Sequence, residues 1–186
     1  IMISDQKKKG KKLESLIKPD KNLAIIDTAF AEDFQNEYHK IKTGKNPAYD
    51  IRQSKKEIKD PLSFSCMLLR NKFADGIIAG SVYSTSDVLR NAISIIGLSK
   101  NNKTVSSFFL FTFPKNSAYR GKVIAYADCG VIPDPDAEQL SDIAIQTCYN
   151  FKKLTGIKPK AAFLSFSTKG SAKDKSLDKV IKAYKL

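Results

Sequence analysis

With 186 residues, 42% hydrophobic and 27% charged, the chain can bury one sizeable core or two small ones, which excludes a wholly disordered polymer. No apolar run approaches bilayer length and no apolar segment follows the N-terminal lysines, so the reading contains neither a membrane span nor a secretory signal and defaults to the cytoplasm. The formal charge of +13 calls for an acidic ligand. With no nucleic-acid module in the pattern and the aromatic residues lying inside apolar runs, a phosphorylated metabolite accounts for that charge more economically than RNA.

The basic run KKKGKK at Lys7–Lys12 reads as part of a solvated, mobile leader over residues 1–21. Asn22–Asp27 (NLAIID) follows as a short strand. Phe30, Phe34, Tyr38 and Ile41 then recur at helical spacing across Phe30–Lys42, with Glu32 and Asp33 in the first turn. Gly44 and Pro47 break the chain before a polar helix over Ala48–Lys59. Pro61 opens the next, whose Leu62, Met67, Leu68 and Leu69 face a core.

Asp75–Ile96 (DGIIAGSVYSTSDVLRNAISII) reads as a strand, a loop and a helix. Gly76–Gly80 is apolar and is expected as a short buried strand. The loop offers the hydroxyls of Ser81, Ser84, Thr85 and Ser86 just before Asp87, where a helix would aim its free N–H groups and positive dipole end at the loop. Arg90 lies one turn in. Such a loop suits an anion, and the plainer alternative is that Ser84 or Ser86 only caps the helix.

Beyond Gly97 the composition shifts to β-branched and aromatic residues. Thr104–Pro114 and Lys122–Asp128 are expected as two strands joined by a hairpin-like turn. A helix follows from the segment VIPDPD, with Asp134 capping and Pro135 in the first position, and runs to about Leu154. Its buried face is expected to carry Ala137, Leu140, Ala144, Cys148, Phe151 and Leu154, with Gln139, Asp142, Gln146 and Lys153 in water. Gly156 stops it. Lys160–Phe166 is expected as a buried strand running into the loop Ser167–Ala172, before a final helix from about Leu177. The alternation of strands and helices argues an α/β protein, a three-layer α/β/α arrangement with largely parallel sheets. Two subdomains, 22–103 and 104–186, would flank a cleft.

The second hydroxyl-rich loop supplies Ser165, Ser167, Thr168 and Ser171, with Lys169 as a charge and Gly170 where backbone can approach a ligand. Two such loops favour an anion site over two independent caps. They contain neither a GxxxxGK[ST] nor a GxGxxG spacing. Their donors suit phosphate binding and the stabilisation of charge on an acyl or phosphoryl oxygen, without naming a nucleophile. The three cysteines, Cys66, Cys129 and Cys148, are widely spaced in apolar surroundings and read as reduced, buried thiols, with no metal site. Cys129, in ADCG, has no neighbouring base and reads as a packed thiol, while Asp128 and Asp134 read as caps. His39, the only histidine, gives a poor basis for a triad or a zinc centre.

Taken together, DGIIAGSVYSTSDVLRNAISIIG, KTVSSFFLFTFP, YADCGVIPDPDAEQLSDIAIQ and AFLSFSTKGSA resemble the phosphate acetyltransferases (phosphotransacetylases) of the wider phosphate acetyl/butyryltransferase family. The resemblance runs from about Asn22 to the end of the chain. It implies reversible transfer of an acetyl group between coenzyme A and phosphate, giving acetyl phosphate, with coenzyme A as a substrate and no metal or tightly held cofactor. It further implies that Ser84, Thr85, Ser86, Asp87 and Arg90 help to hold ligand phosphates, Arg90 being associated with the coenzyme A 3′-phosphate. Ser165, Ser167, Thr168, Lys169, Gly170 and Ser171 would line the opposite wall. The thiolate would attack the acetyl carbonyl directly, and the whole protein would be a cytoplasmic homodimer binding neither nucleic acid nor membrane.

The chain departs from that pattern in several places. The GNIxYK-like and DLSRG-like motifs, whose aspartate and arginine are assigned to thiol deprotonation and phosphate binding, are not reached before Leu186, so the catalytic residues are expected beyond it. The opening elements of the first domain are missing, and where the family has an RKxKG-like stretch Tyr38–Lys45 offers only lysines. The chain therefore reads as an internal or truncated piece, expected to be poorly stable or oligomeric alone. An acetyl-CoA-sensing domain, like the phosphotransacetylase-like region of some malic enzymes, and a phosphate butyryltransferase are the alternatives. Acyl-chain preference is not legible.

Overall fold

Residues 2–4, 25–100, 102–168 and 170–186 are described by the computed structural model. They fall into two compact units, Ile1–Gly97 and Leu98–Leu186. The chain is α/β, with strands and helices in both units.

The first unit opens with β1 (Met2–Ser4), inside the stretch read as leader, paired in parallel with β2 (Ile25–Asp27). Lys7–Lys12 and the first residues of the expected strand Asn22–Asp27 lie outside the described residues. A 3-10 helix over Thr28–Phe34 leads into α1 (Gln35–Thr43), so the single helix expected over Phe30–Lys42 is tightly wound in its first half. α2 (Ile51–Glu57) is shorter than expected and starts where the Asp50 side chain accepts from the Arg52 N–H at 2.9 Å. α3 (Pro61–Arg70) has proline in its first position and an N-cap in Asp60, which accepts from the Leu62 and Ser63 amides. α4 (Thr85–Asn91) continues into a π-helical turn, Ala92–Ile96, which ends at Gly97 with φ of 80°. Ala31, Tyr38, Ile58, Leu62, Phe64, Cys66, Met67, Leu68 and Ile95 form the buried core, drawn from the 3-10 helix, α1, the residue that closes α2, α3 and the π turn. Two cations satisfy carbonyls of the π turn: Arg70 donates to the Ile95 oxygen at 2.7 Å and Lys45 to that of Ile93 at 3.1 Å.

The expectation of a buried strand over Gly76–Gly80 fails. The stretch joins no ladder among the described residues, Ile78 is fully exposed, and only Ile77 packs against the core. Its apolar composition suits a sheet interior. Among the described residues the sheet of this unit holds only β1 and β2, and no strand pairs with the segment.

In the second unit, β3 (Phe108–Thr112) and β4 (Val123–Ala127) form the expected hairpin, antiparallel from Phe108↔Ala127 to Thr112↔Val123. α5 (Ala137–Thr155) begins at a capping box: Asp136 accepts from the Gln139 amide at 2.8 Å and the Gln139 side chain from the Asp136 amide at 3.0 Å. The cap is thus Asp136 rather than Asp134, which instead forms an ion pair with Lys179 of α6 (Lys175–Lys185). Ala137 and Phe151 are buried as expected and Leu140, Ala144 and Cys148 half-buried, but the face ends before Leu154 and widens on one side. Ile143 and Ser141 are buried and Leu154 is exposed, while Gln146, expected in water, donates to the Thr104 carbonyl at 3.1 Å and to Asp142 at 2.7 Å. Lys160–Phe166, expected as a buried strand, joins no ladder among the described residues and is mostly exposed, with Leu164 and Phe166 at 79% and 74%.

Candidate functional site

Two local clusters carry the residues singled out by sequence, one in each unit. In the first, Ser84 caps α4 from an extended backbone (φ −67°, ψ 157°), and its hydroxyl accepts from the Asp87 amide at 3.2 Å. The same oxygen lies 2.6 Å from Asp87 Oδ2 and 2.8 Å from Ser86 Oγ. Ser84 is therefore the helix cap that the plainer reading allowed. Thr85 and Ser86 are exposed beside it.

Arg90 lies one turn on, its Nη1 donating to Asp87 Oδ1 at 3.1 Å, with the side chain 72% exposed. The hydrogen bond from Ser84 and the Arg90 charge hold the Asp87 carboxyl below the usual carboxylate range. An ionised carboxylate thus sits where the helix dipole would otherwise receive a ligand anion. An incoming phosphate must share Arg90 with Asp87, and the exposed guanidinium is the group able to reach it.

The second cluster follows the segment 160–166 and closes largely on itself. Ser165 Oγ donates to the Ser167 carbonyl at 2.8 Å and Ser171 Oγ to that of Thr168 at 2.6 Å, while Ser167 Oγ lies 3.0 Å from Ser171 Oγ. Gly170 takes φ of 85°, the left-handed geometry that this tight turn requires. Lys169 lies outside the described residues. With the Ser165 and Ser171 protons used inside the loop, donation to a phosphate here would require these hydroxyls to turn.

Among the other residues singled out, Cys129 donates its thiol to the Tyr126 carbonyl at 3.2 Å, while its own carbonyl accepts from Ser107 Oγ. That arrangement holds the turn after β4. Asp128 is not a cap: it stands at φ 66°, a left-handed position that aspartate tolerates better than bulkier residues. Cys66 is buried in the first core, and burial together with the nearby Asp60 charge pushes its thiol up to about 11. Among the described residues no group of three or more His, Cys, Asp or Glu side chains is placed to hold a metal ion. No helix in them is long and apolar enough to cross a membrane.

One polar cluster escaped the sequence reading. Glu57 Oε2 accepts from Tyr38 at 3.0 Å and Tyr49 at 2.7 Å, and Oε1 accepts from Gln53 at 2.6 Å. Beside it His39 Nδ1 lies 2.8 Å from the buried Ser54 hydroxyl. These contacts bind α1 to α2 and give the lone histidine a structural post. The signal available in sequence was the Gln53–Glu57 spacing of one helical turn, which does not reveal the tyrosines.

The family model described as Phosphate acetyl/butaryl transferase matches residues 1–186. A phosphate acetyltransferase of Acetivibrio thermocellus is 41% identical over 155 residues, a match covering 83% of this chain and 46% of that protein. A phosphate acetyltransferase of Clostridium acetobutylicum is 33% identical over 189 aligned residues, covering 100% of this chain and 56% of that protein. Among solved structures, a phosphotransacetylase from Streptococcus pyogenes superposes with a TM-score of 0.82 at 29% identity, covering 100% of this chain and 55% of that one. The chain spans about half the length of the curated relatives it matches.

Proposed function

The chain belongs to the phosphate acetyl/butyryltransferase family, and from that premise we propose that the protein moves an acetyl group reversibly between coenzyme A and phosphate. The observation that carries this reading is the family match over all of residues 1–186. In the forward sense the coenzyme A thiolate attacks the carbonyl carbon of acetyl phosphate. The C–S bond forms, the bond from that carbon to the phosphate oxygen breaks, and phosphate leaves with the electron pair. The protein's work is then to hold two anionic substrates in line and to offset charge on the carbonyl oxygen.

In this proposal Arg90 takes the 3′-phosphate of coenzyme A, helped by the hydroxyls of Ser84, Thr85 and Ser86. The exposure of its guanidinium supports that role. Ser165, Ser167, Thr168, Lys169, Gly170 and Ser171 form a second phosphate-facing wall. A three-layer α/β/α body divided at 22–103 and 104–186, a cleft between the two parts, a homodimer and a cytoplasmic location complete the proposal.

The test is acetyl-CoA formation from acetyl phosphate, with coenzyme A binding measured in parallel by calorimetry. Arg90→Ala is expected to weaken coenzyme A by roughly tenfold while leaving its 3′-dephospho form nearly unchanged. Equal losses for both ligands would remove the role given to Arg90, and binding without turnover would favour an acetyl-CoA-sensing domain.

A further inference from the structure

The helix that carries Arg90 contributes no buried residue to the first unit. α4 is seven residues long, too short to hold itself by backbone bonds alone, and the chain is next fully buried only at Ile95, in the π turn. Val88 packs against the core but stays partly exposed. Part of what fixes the helix must therefore come from polar side chains.

Two hydrogen bonds do this, one just before the cap and one at the last residue, and both run to the first turn of α3. Tyr83 donates its hydroxyl to Asp60 Oδ2 at 2.7 Å. At the other end Ser63 donates its hydroxyl to Asn91 Oδ1 at 3.0 Å, and the Asn91 amide donates in turn to the Asp87 carbonyl at 3.0 Å. The two anchors are themselves joined, since Asp60 Oδ1 accepts from the Leu62 and Ser63 amides at 3.1 and 3.2 Å. One carboxylate thus caps α3 with one oxygen and moors α4 with the other. Burial and the Asp60 carboxylate push the Tyr83 phenol up to about 12, so it remains a donor at neutral pH.

Tyr83 directly precedes the cap Ser84, and Asn91 directly follows Arg90. The guanidinium is 72% exposed and bonded to Asp87 on its own helix, so its place relative to the core is set by where α4 lies. We propose that Tyr83 and Asn91, moored on Asp60 and Ser63, are positioning residues that set how tightly Arg90 holds a phosphate, and with it the preference for coenzyme A over its 3′-dephospho form. The proposal rests on the reading of Arg90 as the 3′-phosphate contact. Neither side chain needs to touch the ligand. A loosened α4 would still carry the charge, but the guanidinium would have to be ordered on binding, and that cost falls on the phosphate contact alone.

The test is calorimetric binding of coenzyme A and of 3′-dephospho-coenzyme A to this chain, read as the ratio of the two dissociation constants. That ratio is blind to the fraction of protein folded, so a change that only destabilises the unit leaves it unmoved. Tyr83→Phe and Ser63→Ala each remove one donor and are each expected to lower the preference for coenzyme A roughly threefold, the pair approaching the roughly tenfold loss of Arg90→Ala. In an Arg90→Ala background the same two changes are expected to leave the ratio where it is, because the contact they serve is gone. Equal losses for both ligands in Tyr83→Phe and Ser63→Ala, or no loss, would overturn the proposal; a collapsed preference in Arg90→Ala would then still uphold the reading beneath it. A further fall in the Arg90→Ala background would overturn it as well, the tethers then acting through another group. Should Arg90→Ala keep the preference, or the chain bind neither ligand, the reading and the proposal fall together.

Discussion

At Glu57 two phenol hydroxyls and an amide converge on one carboxylate, with Lys42 3.8 Å away. Burial pushes this carboxyl up, but the bonds from Tyr49, Gln53 and Tyr38 and the Lys42 charge outweigh it, leaving it below its ordinary value of 4.5. A depressed carboxylate adds stability that is present above the ordinary value and is lost as pH falls through the lower, folded value. The first unit is therefore expected to lose stability as the medium is acidified below 4.5, and Glu57→Gln to flatten that loss. Urea midpoints followed across the acid range by circular dichroism check it; an unchanged slope in the variant would dismiss Glu57 as the cause. The helical spacing announced Tyr38 as a core residue. What its hydroxyl does there was not legible, because the partner lies 19 residues away on another helix.

At the scale of the element, helix ends account for most differences between expectation and structure. α3 closes in a Schellman arrangement, with the Lys72 amide bonded to the Leu69 carbonyl at 3.1 Å and that of Phe73 to Leu68 at 2.9 Å. The left-handed position belongs to Lys72, at φ 63°, where glycine is the usual occupant. Lys72→Gly is expected to stabilise the first unit by about 1 kcal/mol, and Lys72→Ala to give no such gain. Thermal melts of the two variants test the pair. α5 shows a related limit, since Asp134, Pro135 and Asp136 all favour a helix start and only the Gln139 partner selects Asp136. The segments 76–80 and 160–166 were legible only as apolar runs. Whether such a run becomes a strand depends on neighbours, which composition does not encode.

Across the whole molecule the two units differ in how well each is filled. In the first, Tyr38, Phe64, Ile58, Met67 and Ile95 are sealed within a cluster of nine buried residues. In the second, the buried apolar residues are few, Ala137, Ile143, Phe151, Leu177 and Ala183, and a groove undercuts α5. Amides of β4 and α5 are accordingly expected to lose protection at lower denaturant than those of α3, in hydrogen exchange read segment by segment. Simultaneous loss would contradict it. The order of elements and the hairpin were legible because periodicity reports local burial. The grouping of the site residues was not, since Ser84 and Arg90 are tied to Asp87 and the Ser165 loop to itself by bonds that a string of hydroxyls leaves undetermined.

The β3 strand bears on how this protein behaves in concentrated solution. Phe109 and Phe111 are exposed on it, 62% and 45%, without a charge between Phe108 and Thr112 and with one edge unpaired among the described residues. Such a ribbon is a template for stacking one molecule on the next. Lys103, Lys115, Arg120 and Lys122 flank the hairpin as gatekeepers, and the net charge of +13 keeps molecules apart. That repulsion reaches about 8 Å at physiological ionic strength and only about 3 Å at 1 M. The surplus of lysine thus acts as a colloidal shield as well as a lure for anions, and salt strips the shield while the fold is still intact.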